Sequence, residues 1–249
     1  MNINDSWKST CKIIFGQEIG DLKDYEQFLK RYTEPISKTK SILSGKEVYY
    51  GAPYCSKAKF ISMDEIDQMK VEPIGIDDTK DIDSLMNAAA ERFYYAGNKF
   101  GGKIQDVVGS GDCSDSFFVV GSREIYLSEY IAYGQMLTTT KYMFGCCWGS
   151  EDNFCINSTE LELVNRVFES TLCVQTADAY YSYNCIGCQE VMFCFNQRSA
   201  RYAIGNRQME KTNYLALKAK LLKEIVELLK RDKTVPSLID VATGKAERG

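Results

Sequence analysis

The residues best suited to chemistry are thiols. Cys185-Ile186-Gly187-Cys188 is the single Cys-x-x-Cys of the chain, and Cys194 and Cys173 lie near it in sequence. Thiolates from Cys185, Cys188, Cys194 and Cys173, or one from the pair Cys146-Cys147, would suit a tetrahedral zinc ion. The other reading is that cysteine, a small apolar side chain, fills a narrow interior. In a strand Cys146 and Cys147 point to opposite faces, so at most one of them joins the rest. Filling is the favoured reading: the expectation is no cofactor, with zinc or an iron-sulfur group as the alternative. A redox role would need an exposed thiol of lowered pKa.

The chain has no histidine. That removes Ser-His-Asp and Cys-His nucleophilic systems, His-containing metal sites and the commonest general base near neutral pH. Ser-x-x-Lys occurs at Ser9 to Lys12, Ser37 to Lys40 and Ser56 to Lys59, each time without the partner motifs that give the pattern meaning. The glycine-rich Gly109 to Ser114 lacks the third glycine of a dinucleotide loop and the lysine of a phosphate loop. The carboxylate pairs Asp112 with Asp115 and Glu151 with Asp152 fall in turn-like segments, where Asp is favoured for local hydrogen bonding. No catalytic residues are assigned.

Charge is distributed unevenly. Residues 1 to 100 carry 14 basic and 16 acidic groups, residues 101 to 200 carry 5 and 12, and residues 201 to 249 carry 11 and 6. An acidic middle repels phosphate, so nucleic-acid contact is expected only through the basic tail. No segment reaches the roughly 18 apolar residues of a membrane span, and the start does not read as a signal peptide. The expectation is a cytoplasmic protein with reduced thiols and no membrane partner, in which Asn157-Ser158-Thr159 is a chance sequon.

The elements that must position these residues fall into four parts. Residues 1–100 read as a mixed α/β unit: a strand at Cys11 to Phe15, a helix from Asp21 with Leu22, Tyr25, Phe28, Leu29 and Tyr32 on one face, and strands at Val48 to Tyr50 and Lys59 to Ile61. Ser62 and Glu65 form a capping-box signature. Val71 to Asp81 reads as a linker, and a helix follows over Ile82 to Ala96 with Leu85, Ala89 and Phe93 inward and Gly97 as its stop.

Residues 101–206 read as a cysteine- and aromatic-rich β-solenoid, clearest from Gly109 to Asn206. Apolar pairs, a small residue and a polar turn recur at Val119 to Tyr126, Cys147 to Cys155, Cys173 to Tyr181, Cys185 to Cys194 and Phe195 to Ile204. Uneven spacing between the copies predicts variable corners, and stacking would bury what no copy buries alone. Residues 207–232 read as an amphipathic helix lidding the open end. Tyr214, Leu217, Leu221, Ile225 and Leu228 form its stripe, with Lys218, Lys220, Lys223, Lys230 and Arg231 elsewhere. Residues 233–249 read as a loosely held tail from which Val235 to Val241 could dock.

The run from Tyr183 to Asn196, followed by Arg201 to Asn206 and Tyr214-Leu215, resembles a family of uncharacterised cysteine-rich proteins of archaea and candidate-phyla bacteria. The resemblance covers about the last 70 residues well and extends loosely back to Cys113. It implies a right-handed parallel β-helix with stacked inward cysteines, similar in style to the domains of cyclase-associated protein and tubulin cofactor C. It transfers no catalytic residue, and this chain has one Cys-x-x-Cys where the richest members have many.

The fold class expected is therefore α+β, with a solenoid between an N-terminal unit and a C-terminal helix. The leading functional expectation is a non-catalytic interaction or assembly scaffold that binds a protein partner or itself. Exposed aromatics such as Tyr126, Tyr130 and Tyr181 and the helix cations Lys220, Lys223, Lys230 and Arg231 are the expected contact residues. A thiolate metal protein and a ribosome- or RNA-associated factor using the basic helix are the alternatives.

Overall fold

The structure is a computed structural model. It describes residues 2–33, 35–51, 54, 58–70, 72–75, 80–105, 107, 109–117, 119, 123–129, 131–132, 135–141, 143–145, 154–159, 162–163, 165–172, 174–175 and 177–243.

The solenoid is built from a three-residue rule. In its most regular coil, each side consists of a residue in the left-handed region, then an inward residue, then an outward one. In the coil 181–192 the left-handed corners are Tyr181, Asn184, Gly187 and Glu190, with φ of 47°, 51°, 66° and 54°. The residues that follow them, Ser182, Cys185, Cys188 and Val191, are all buried. Four such sides make a square coil. Six parallel strands stack along one side: Met143–Phe144, Phe154–Ile156, Arg166–Phe168, Asp178–Tyr180, Gln189–Met192 and Arg201–Ile204. Their register is strict, with Cys155 opposite Val167, Val167 opposite Ala179, Ala179 opposite Val191 and Val191 opposite Ala203, a step of 12 residues each time. A second parallel sheet over Lys99–Gly101, Asp112–Phe117, Arg123–Glu129 and Gln135–Lys141 begins the stack.

Variable corners are thus corrected to a fixed period. Reading every twelfth residue gives Val119, Ile131, Met143, Cys155, Val167, Ala179, Val191 and Ala203, all in one buried column. Parallel pairing is what imposes this order. A one-residue slip would turn each inward side chain outward and leave the ladder's backbone groups unmatched.

A second core lies outside the coil. The outward row Phe144, Ile156, Phe168, Tyr180 and Met192 would meet water on a bare solenoid, and it is buried here by helices. Helix α1 (Ile3–Phe15) lies against it, with Trp7 edge-on to Phe144 at 5.3 Å and Phe15 edge-on to Phe168 at 4.9 Å. This corrects the strand expected at Cys11 to Phe15. Trp7, Cys11, Ile14 and Phe15 fall at helical spacing, the Asn2 and Asp5 side chains close a capping box, and Gly16 ends the helix at φ 78°. The helix expected from Asp21 is a 3-10 turn (Leu22–Tyr25) followed by a single turn, α2 (Glu26–Leu29), and Leu22, Tyr25, Phe28 and Leu29 are buried.

Between α2 and the first sheet, Ser37–Lys40 pairs antiparallel with Glu47–Tyr50, and Lys59–Ser62 pairs parallel with Tyr94–Gly97. The capping box of Ser62 and Glu65 is present on a 3-10 turn. Helix α3 (Ile82–Arg92) stops four residues short of expectation, because Tyr94–Gly97 is recruited as a strand. Ala88 is its buried residue, and Phe93 is 55% exposed.

Helix α4 (Lys211–Asp232) is the expected C-terminal helix and begins against the last coil. Tyr214 packs near Tyr202 of the last coil, with ring centres 5.7 Å apart. The helix then runs back along the flank, where Ile225, Val226 and Leu229 join Trp7, Ile14 and Phe144 in one cluster. Lys218 was expected to point away; its side chain is only 13% exposed, and its ammonium lies 4.4 Å from the centre of the Tyr180 ring. Arg207–Gln208 folds back antiparallel on Arg201–Ile204 and pairs the outer edge of that last strand. Helix α5 (Leu238–Thr243) follows, and the tail is docked over residues 234–240. Val235 and Ser237 are buried, and Arg31 hydrogen-bonds the Val235 carbonyl at 3.2 Å.

Candidate functional site

Cys185, Cys188 and Cys194 are brought together in the solenoid interior, all fully buried. Each thiol donates to the carbonyl two residues earlier: Cys185 to Tyr183 at 3.5 Å, Cys188 to Ile186 at 3.8 Å and Cys194 to Met192 at 3.5 Å. Inward serines do the same, Ser158 to Ile156 at 3.3 Å, Ser170 to Phe168 at 3.0 Å and Ser182 to Tyr180 at 3.0 Å. Cys194 continues the row of Ser158, Ser170 and Ser182, so thiol and hydroxyl occupy one structural role. The triplet geometry explains the choice. A side chain that follows a left-handed corner needs little volume, and a donor there satisfies a carbonyl facing the interior.

Burial also shapes their reactivity. Desolvation pushes the thiols of Cys188 and Cys194 upward, and that of Cys113 up to about 12. A metal ligand or nucleophile must lose that proton. Among the described residues no group of three His, Cys, Asp or Glu converges as a metal site. Cys173, the fourth expected ligand, lies outside the described residues, as do Cys146 and Cys147.

The expected contact residues separate. Tyr181 is corrected: it occupies a left-handed corner and is buried, stacked on Phe193 at 4.7 Å and edge-on to Phe168 at 5.3 Å. Tyr126 lies in register with Ser114 and Thr138 on the first sheet, and Tyr130 is outside the described residues. Lys220, Lys223, Lys230 and Arg231 are exposed on α4. Arg231 is paired with its neighbour Asp232 at 2.7 Å, and Lys230 donates to Gln17 at 2.8 Å.

Two polar clusters were missed by sequence reasoning. In the first, Glu169 is fully buried at a corner of φ 49°, and the Asn157 amide donates to it. Burial raises its pKa to about 7, opposed by hydrogen bonds from Ser237 and Asn157 and by the charge of Arg31, and reinforced by Asp240. The second is on the flank. Asp178 is buried and takes two hydrogen bonds of 2.5 Å from Arg166, its neighbour one coil earlier, while Lys218 approaches it to 3.6 Å. For the second cluster the sequence signal is a charged residue at each 12-residue step, Arg166, Asp178 and Glu190, visible once the period is known; Glu169 has only Asn157 and Tyr181 at that step.

On the wall away from the helices, Leu163 and Ile186 are 46% and 45% exposed, and Val174 is half-buried. Val174 and Ile186 are in register on successive coils, whereas the bond from the Leu163 N–H to the Val174 carbonyl at 2.9 Å sets Leu163 opposite Gln175, one position out of that row. No helix of the described residues is long and apolar enough to cross a membrane. No family model matches the chain, and neither a curated protein nor a solved structure matches it.

Proposed function

We propose that this chain is a non-catalytic interaction scaffold that binds a protein through the helix-free wall of its solenoid. The observation that carries this reading is the exposed Ile186, stacked in register on half-buried Val174, with exposed Leu163 beside them one position out of that row. Helices cover the outward row from Phe144 to Met192, whereas among the described residues Leu163 and Ile186 stay exposed. Exposed apolar residues held on a stacked solenoid are the ingredients of a protein contact surface. Self-association through the wall is the first form to test, because the outer edge of the last strand is paired by the Arg207–Gln208 fold-back.

The experiment is sedimentation equilibrium, together with affinity capture by the wild-type chain and by a Leu163→Asp, Ile186→Asp double variant. The expected result is an oligomer or a captured protein that the double variant loses while its circular dichroism is unchanged. A strictly monomeric wild type that captures nothing, or a captured set that the double variant retains, would overturn the reading.

A further inference from the structure

A cavity of about 390 Å³ lies where the end of α1, the middle of α4 and the solenoid flank meet. Its lining includes three cations, Arg166, Lys218 and Lys223, together with Tyr180 and Leu222. We propose that this cavity is a binding site for a small phosphate monoester with an aromatic or aliphatic substituent.

The argument begins with register. Parallel pairing sets Arg166 directly beside Asp178 on the next coil. Asp178 is buried, so its charge is spent inside the wall, where it holds the Arg166 guanidinium at 2.5 Å and the Lys218 ammonium at 3.6 Å. The Tyr180 ring lies under Lys218, and the Tyr180 hydroxyl donates to the Ile14 carbonyl at 3.1 Å. Two cations are therefore fixed at the cavity before any ligand arrives, and Lys223 adds a third at its exposed rim.

Two carboxylates, Asp178 and Glu190, act on Arg166 and Lys218, so the three cations keep a surplus of one positive charge, in a chain whose residues 101 to 200 are acidic. That surplus, with Lys223 at the rim, favours an anionic group. Arginine and lysine together suit phosphate oxygens, the first as a fixed fork and the second as a point charge. The carbonyl end of α1, which would oppose an anion, is partly engaged: the Ile14 carbonyl by Tyr180 and the Lys12 carbonyl by the Gly16 N–H. Tyr180, Leu222 and Phe15 supply apolar surface for a substituent, and the volume lies within the usual range for small ligands. Burial lowers the Lys218 pKa, so an incoming anion would restore its proton affinity.

The test is calorimetric titration of the full chain with phenyl phosphate, with inorganic phosphate for comparison. The expected result is saturable binding with a dissociation constant below about 1 mM, weakened about tenfold or more by Lys218→Met and by Arg166→Gln. Lys38→Met, on a different sheet, should leave it unchanged. A second readout is independent of affinity: the binding enthalpy should depend on buffer ionisation at alkaline pH, because Lys218 takes up a proton. Absence of saturation up to about 10 mM, or an affinity unchanged in both Lys218→Met and Arg166→Gln, would overturn the proposal.

Discussion

The side chain of Asn206 takes the place of a missing strand for Phe195. Its oxygen accepts from the Phe195 N–H at 2.9 Å, and its nitrogen donates to the Phe195 carbonyl at 3.0 Å. One amide thus satisfies both backbone groups that the next coil would have paired. Asn98 makes a related bridge between two residues further back, accepting from the Tyr49 N–H at 2.9 Å and donating to the Glu47 carbonyl at 2.8 Å.

Substituting Asn206 by Ala should therefore do two things. Loss of the two bonds, with Ala forced to a φ of 63°, should cost about 1–3 kcal/mol. The uncovered edge should also promote association of chains. Urea unfolding checks the first effect, and concentration-dependent sedimentation checks the second. An Asn206→Ala chain that sediments like the wild type at every concentration would show that the amide is not what closes the edge.

Cys194→Ser should be nearly neutral, within about 1 kcal/mol, because Ser182 makes the same inward bond one coil earlier. Cys194→Leu should cost about 2 kcal/mol or more by overfilling the interior. Unfolding midpoints of the two variants give the comparison. In the folded protein Cys185, Cys188 and Cys194 should also react with a disulfide reagent only as fast as the chain opens, since all three are buried.

The stacked architecture was legible in the sequence, but its period was not. Inward positions accept Ser, Cys, Ala, Val and Met alike, so hydropathy alternates only weakly along a coil. Corners are filled by Tyr181, Glu169, Phe193 and Tyr202 as readily as by glycine, which hides the turns that would have counted the residues. The α4 stripe was visible, but its destination depended on the outward row from Phe144 to Met192. That row reads as a second face only when the twelve-residue step is known. The thiols were read correctly as buried neighbours. Tyr181 and Lys218 were misplaced because an aromatic at a left-handed corner and a lysine over an aromatic ring both look like surface residues in one dimension.

Gly145 lies close against the end of the α2 segment. A Cβ at this position would lie 2.4 Å from the Leu29 carbonyl oxygen, and its φ is 68°. Backbone on both sides leaves nothing to rotate away. Gly145→Ala should destabilise by about 2–4 kcal/mol through combined strain and displacement, and protease cleavage near residues 22–33 should accelerate. Unchanged cleavage there would mean that this segment does not depend on the contact.

Glu169 gives the fold a pH dependence whose sign follows from its burial. The folded protein holds this proton up to about pH 7, whereas the ordinary value for Glu is 4.5. Between those values the native state binds more proton than the unfolded chain. Its contribution is therefore fully present below about 4.5, is lost as pH rises through the window, and levels off above about 7. The full span is on the order of 3–4 kcal/mol, from roughly 1.4 kcal/mol per pKa unit over the interval from 4.5 to about 7. Glu169→Gln should remove this part of the slope, leaving stability flatter between pH 5 and pH 7 than in the wild type. Parallel urea titrations across that range decide it, and equal slopes in the two proteins would assign the buried proton to another group.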